Sequence, residues 1–144
     1  MSKNPVPQGM YKPAVRFGDL IFTAGMTPRK DGVLLSAAKL TIADQLDPEA
    51  HRREVRQAAE NALTAAENCL EEGEKIVQIL SLTVYINADP SFTKHPRIAD
   101  LASEYLVERL GPDAGIGARA AVGVASLPGN APVEIQLIAA AGKA

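Results

Sequence analysis

The run Val55, Ala58, Ala59, Ala62, Leu63, Ala66, Cys69 and Leu70 repeats at helical spacing, and no other stretch narrows the possible folds as much. Asp47 stands where an N-cap is needed, Pro48 fits the first helical position, and Glu49 suits the positive helix end. Gly73 stops the run. The spacing therefore predicts a helix from Asp47 to Gly73, about 35 Å long. Its stripe is mostly alanine, so it should lie close against a flat partner. A sheet meets that need.

Strand signals flank the helix. Residues 13–24 read as two short strands around Gly18-Asp19, with Leu20-Ile21-Phe22 apolar and β-prone. Gly25 breaks the second strand, Pro28 to Gly32 read as a polar loop, and a short strand falls near Val33-Leu35. Residues 76–87 form the strongest strand, with Leu80, Leu82, Val84 and Ile86 on one face and Ser81, Thr83 and Tyr85 on the other. A second helix runs from Pro96 to Leu110 and ends at Gly111. Strands at Ala118 to Ala125 and Pro132 to Ala140 flank the turn Leu127-Pro128-Gly129-Asn130. The order predicts one α+β domain over residues 1–144, with both helices on one face of the sheet. The other face, carrying Ser81, Thr83, Tyr85, Glu134 and Gln136, is too mixed for a second core and too weakly charged for a fully solvated surface. It reads as the lining of a subunit contact or a pocket.

Composition excludes several classes. Apolar residues are 47% of the 144 and charged residues 22%, which is globular rather than disordered. With a net charge of −2 and no basic stripe, nucleic acid is not an expected partner. No apolar run reaches the ~20 residues of a membrane span, so no membrane partner is expected. Met1-Ser2-Lys3-Asn4-Pro5 lacks the apolar core of a secretory signal, and Cys69 has no second cysteine to bridge. The cytoplasm is the simplest address.

The candidate chemistry is correspondingly narrow. His51 and His95 lie on separate elements and no metal-ligand spacing occurs, so no metal is expected. Cys69 falls on the helix stripe and reads as an inert packed thiol. Arg119 opens a strand among small residues, Gly115-Ile-Gly-Ala118 before it and Ala120-Ala121-Val122-Gly123 after it. A guanidinium there has room to hold a planar carboxylate on its fork. The alternative is a structural salt bridge. Glu134 alternates with apolar neighbours and points away from the helices. Tyr11 is either a pocket residue or an anchor for the N-terminal segment.

Pro13-Ala-Val-Arg-Phe-Gly-Asp-Leu-Ile-Phe-Thr-Ala-Gly25 resembles the opening of the reactive-intermediate deaminase (Rid, or YjgF-like) family. Ala118-Arg-Ala-Ala-Val-Gly-Val-Ala-Ser-Leu-Pro128 with Ala131-Pro-Val-Glu-Ile135 resembles its closing signature. The resemblance implies a chorismate-mutase-like α+β fold, a homotrimer with pockets between subunits, and cofactor-free hydrolysis of reactive enamines and imines such as 2-aminoacrylate. It implies that Arg119 binds the substrate carboxylate and that Glu134 acts near the reacting carbon and water. It further implies that Tyr11 and Gly25 border the pocket, and that Ala121 stands where a cysteine is frequent. The family's serine and glutamine positions hold Lys12, Pro13, Ala24 and Met26 instead. Two other activities on the same fold stay open: a carboxylate-binding module without turnover, and a ribonuclease.

Overall fold

The computed structural model describes residues 2–144. Gly18, at a φ of +62°, and Asp19 make a two-residue turn between β1 (Ala14–Phe17) and β2 (Leu20–Thr23). The strands pair antiparallel from Phe17 opposite Leu20 to Ala14 opposite Thr23. Residues 28–32 are not simply a loop. Asp31 and Gly32 both adopt left-handed backbone, the geometry of a tight hairpin turn, and join β3 (Arg29–Lys30) to β4 (Val33–Leu34).

The long helix is shorter than its pattern suggests. Asp47 makes no side-chain cap, so Pro48–His51 wind as a tight 3₁₀ turn. α1 then runs Arg52–Glu67, about 24 Å. Past Glu67 the amides of Cys69 and Leu70 bond back only three residues, to Ala66 and Glu67, which tightens the chain out of the α-helix. Val55, Ala58, Ala59, Ala62, Leu63 and Ala66 are fully buried, and this alanine-rich face lets α1 sit close over β7 and β2. α2 (His95–Leu110) packs beside α1 and covers β5 and β6; Gly111 ends it at a φ of +90°.

The sheet order is β1-β2-β7-β5-β6, with β5 (Glu74–Asn87) central. β7 (Val133–Lys143) runs antiparallel to both β2 and β5, while β6 (Ala118–Val124) lies parallel to β5 at the sheet edge. β6 and β7, consecutive in sequence, are therefore not a hairpin. Leu82, Val84 and Ile86 enter the helix-side core as expected, but Leu80 does not. A bulge between Ile79 and Ser81 inserts one residue, which sends Ile79 inward and leaves Leu80 39% exposed.

On the face without helices, Val15, Phe22, Ile138, Ser81 and Ala118 lie in one row across the five strands. Gln136, Thr83 and Ala120 form the next row, then Glu134, Tyr85 and Val122. Val15, Phe17, Leu20, Phe22 and Val122 are all exposed on this face. A broad, partly apolar sheet surface of this kind, carrying Glu134 as the carboxylate in these rows, suits contact with another chain.

Arg16 ties β1 to the start of β5. Its two terminal nitrogens meet the Glu74 carboxylate at 2.6 and 2.9 Å. These hydrogen bonds, with one from the Glu71 amide, hold the Glu74 pKa down from its ordinary 4.5 to about 2.

The bulge also fixes where β6 begins. The Ile79 amide donates to the Ala114 carbonyl at 2.7 Å, and Gln78 Nε2 donates to the Ile116 carbonyl at 2.8 Å. Gly117 passes so close that an added Cβ would lie 2.8 Å from the Ile79 carbonyl carbon. Gly117→Ala should destabilise the protein by about 1–3 kcal/mol, because backbone on both sides cannot yield as a flexible side chain can. Denaturant unfolding together with hydrogen exchange at Ala118–Val124 checks this; an unchanged midpoint would contradict it.

Candidate functional site

The path of the chain after β2 builds the first cluster. The Met26 amide donates to the Ile135 carbonyl at 2.7 Å, and Ile135 returns the bond at 2.8 Å, which clamps this segment alongside β7. Gly25 then lies directly against Glu134, whose carboxyl carbon is 2.8 Å from where a Cβ at position 25 would be. Only a residue without a side chain lets the carboxylate rest there. Glu134 is half-buried on the open face, and desolvation pushes its pKa above the ordinary carboxylate value. Among the described residues no cation is paired with it.

Gly25 also borders a cavity of about 390 Å³ between the N-terminal segment, the β3–β4 hairpin and α1. Tyr11 lines the same cavity, and its hydroxyl accepts a hydrogen bond from the Gln8 amide at 2.8 Å. Tyr11 thus both anchors the N-terminal segment and faces the cavity. Buried Asn61 donates to the Thr27 and Arg29 carbonyls at 3.1 and 2.8 Å, fixing the cavity wall.

Arg119 and Ala121 lie elsewhere. Arg119 is opposite Leu82 and Ala121 opposite Val84, so both point to the helix side of β6. Arg119 Nη1 donates to Asp100 Oδ1 at 2.8 Å and to Ser103 Oγ at 3.1 Å, both on α2. The salt bridge that stood as the alternative for Arg119 is therefore formed. Further along β6, Gly123 lies under His95, whose Nε2 would be 2.7 Å from an added Cβ. His95 in turn meets the Phe92 ring edge-on, centroids 5.2 Å apart.

Of the five residues singled out from sequence, the structure brings Tyr11, Gly25 and Glu134 to one region and Arg119 with Ala121 to another. Glu134 is on the open face of β7; Arg119 is on the opposite face of β6, with β5 between them. Two strand spacings, roughly 10 Å, separate their backbones before the difference of face is counted. Within one chain they do not meet. Asp100 and Ser103 went unrecognised as partners of Arg119. Their separation by three positions, which puts both on one side of a helix, was the available signal.

The remaining polar groups are structural in character. Arg56 and Arg109 lie over the Tyr105 ring, 5.0 and 5.7 Å from its centroid, and pair with Glu108 and Glu67 to clasp α1 to α2. Burial pushes the Cys69 thiol up, which keeps it protonated and unreactive. Among the described residues no three His, Cys, Asp or Glu side chains converge as a metal would require.

A mixed five-stranded sheet backed by two helices is the architecture of YjgF-like proteins. The chain belongs to the family described as endoribonuclease L-PSP, whose model matches residues 1–141, within the YjgF/Rid superfamily. It is 30% identical to Agrobacterium tumefaciens Atu1372, a crystal structure of unknown function, with a TM-score of 0.77 over 90% of this chain and 82% of that one. Protein TCP17 of Trypanosoma cruzi is 28% identical over 136 residues, 92% of this chain and 81% of TCP17. E. coli TdcF, solved with bound serine, shares the fold at 22% identity and a TM-score of 0.66, over 95% of this chain and 92% of TdcF.

Glu134 has a folded-state pKa above its unfolded value, so its contribution to stability is greatest at low pH and is lost as pH rises through the folded pKa. Glu134→Gln should therefore raise the melting temperature at pH 7, by about 1–4 °C for a domain of this size, and flatten the pH dependence. Thermal melts from pH 4 to 8 measure it; a lower melting temperature for the variant at pH 7 would contradict the sign.

Proposed function

We propose that this protein hydrolyses small enamine or imine carboxylates, of the 2-aminoacrylate kind, to a 2-keto acid and ammonia. The observation that carries the reading is the complementary incompleteness of the two clusters. Glu134 is a desolvated carboxylate without a cation, and Arg119 is a guanidinium engaged at one nitrogen only, on opposite faces of the sheet. A second copy presenting its β6 edge to the Gly25–Glu134 region completes a site that neither copy holds alone. The exposed apolar residues of the open face favour such an assembly, and a homotrimer is the form the family resemblance implies.

In that site Arg119 holds the substrate carboxylate on its fork, with Ala121 alongside leaving room for the ligand. The enamine tautomerises to the imine, whose carbon is electrophilic. Glu134 takes a proton from water as the oxygen attacks that carbon, and the carbinolamine forms. The proton passes to the nitrogen, completing the amine of the carbinolamine. Glu134 then takes the hydroxyl proton and delivers it to the same nitrogen, so the carbon–nitrogen bond breaks and ammonia leaves as the carbonyl forms. A carboxylate with a raised pKa is suited to both transfers near neutral pH. Tyr11 and Gly25 border the substrate and limit its size. No cofactor enters the sequence of steps.

Ribonuclease activity, which the family description names, fits less well. The chain carries a net charge of −2, and Arg16, Arg52, Arg56, Arg109 and Arg119 are each paired with a carboxylate, which weakens its attraction for a phosphate backbone.

The test uses imino acids generated in place by an amino-acid oxidase, with ammonia followed continuously. Arg119→Ala should lower the rate by about 10–100-fold, the worth of a charge-assisted contact. Glu134→Gln should lower it by about 10²–10⁴-fold. Co-assembled Arg119→Ala and Glu134→Gln chains should regain part of the lost activity, because some mixed interfaces then pair an intact Arg119 with an intact Glu134. Wild-type turnover in Arg119→Ala would end the deaminase reading; carboxylate binding without ammonia release would make the protein a binding module. Failure of complementation would end the reading of a site shared between copies.

A further inference from the structure

The salt bridge at Arg119 uses the guanidinium unevenly. Asp100 Oδ1 and Ser103 Oγ both accept from Nη1, at 2.8 and 3.1 Å, and so take up the two hydrogens on that nitrogen. Nε and Nη2 have no protein partner among the described residues. These two atoms form the side of the guanidinium that engages a carboxylate with two parallel hydrogen bonds. Asp100 and Ser103 are three residues apart on α2, so both reach from the same side of one helix. The helix thus grips the fork by one tine and leaves the ligand-binding side open.

We infer that Asp100, together with Ser103, is a positioning residue that fixes Arg119 for carboxylate capture and tempers the strength of that capture; this rests on the assignment of Arg119 under Proposed function. Fixing comes from the two bonds at Nη1. An arginine side chain loses considerable rotamer freedom on binding, and one already pinned has less left to lose. Tempering comes from charge. Asp100 is a carboxylate on the same guanidinium and repels an incoming one across it, so the ligand is held more loosely than by an unpaired arginine. That suits a site that must release a keto acid carrying the same carboxylate as its substrate. Asp100 is 54% exposed at the side chain and its replacement empties no core space.

The two effects separate by substitution. Asp100→Asn keeps an oxygen that accepts from Nη1 and removes the negative charge. Asp100→Ala removes both. Pyruvate serves as the probe, its dissociation constant measured by calorimetry on the full chain. Asp100→Asn should bind pyruvate several-fold more tightly than wild type, and Asp100→Ala should bind it about fivefold or more weakly than Asp100→Asn, the loss of one hydrogen bond to a charged group. Side-chain nitrogen NMR of Arg119 without ligand gives a second readout. Wild type and Asp100→Asn should show hindered guanidinium rotation, and Asp100→Ala should show it averaged. If Asp100→Ala and Asp100→Asn bind pyruvate equally while Arg119→Ala loses binding, the positioning role is wrong and the deaminase reading survives. If Arg119→Ala binds pyruvate as wild type does, both fall together.

Discussion

The parallel pairing of β6 to β5 is the constraint on which the chemistry of this fold depends. A hairpin between β6 and β7 would have put Arg119 and Glu134 on adjacent strands. The chain instead crosses over, lays β6 on the far side of β5, and leaves it at the sheet edge. Register then decides the face: Arg119 shares the helix side with Leu82, and Glu134 shares the open side with Tyr85. The bulge at Ile79–Ser81 and the passage of Gly117 against Ile79 fix where β6 starts, and so which residue is the strand's first cation.

Charge is handled differently in the two clusters. Arg16, Arg52, Arg56 and Arg109 are each paired with a carboxylate at close range, and the Arg16–Glu74 pair is tight enough to hold Glu74 ionised far into acid. Glu134 is half-buried against Gly25, and among the described residues no cation offsets its charge. Leaving a half-buried carboxylate unpaired costs stability, and such a cost is commonly found where a group has work to do rather than structure to support. The Arg119 pairing resembles the structural ion pairs in distance but not in form, since only one of three nitrogens takes part.

The architecture was largely legible in the sequence because it is written in periodicity. The alternation at Val133, Ile135 and Leu137, the helical stripe from Val55 to Ala66, and the Gly18-Asp19 turn all act through near neighbours. What escaped depends on events that periodicity does not record. The bulge that expels Leu80 is set by pairing with β7, more than fifty residues away. Asp47 forms no cap, and the β3–β4 hairpin rests on left-handed backbone at Asp31 and Gly32, an Asp-Gly pair whose flanking strands of two residues each are too short to show alternation. Glu134 and Gly25 were each legible as a candidate, but their contact was not. The hold of Asp100 and Ser103 on Arg119 joins residues up to nineteen apart through two packed elements; their spacing puts the two on one helix side but does not say which strand that side meets.

The alanine face of α1 has a mechanical consequence. Methyl groups, rather than long side chains, fill the gap between that helix and the strands beneath it, so the interior there has little slack to take up movement. The molecule behaves as a thin board, with its two broad surfaces coupled through short contacts. In the assembly proposed above, the width of the cleft between copies of such a board would be governed by how whole subunits lean on one another, and admitting a bulkier ligand would require them to tilt rather than any single strand to give way.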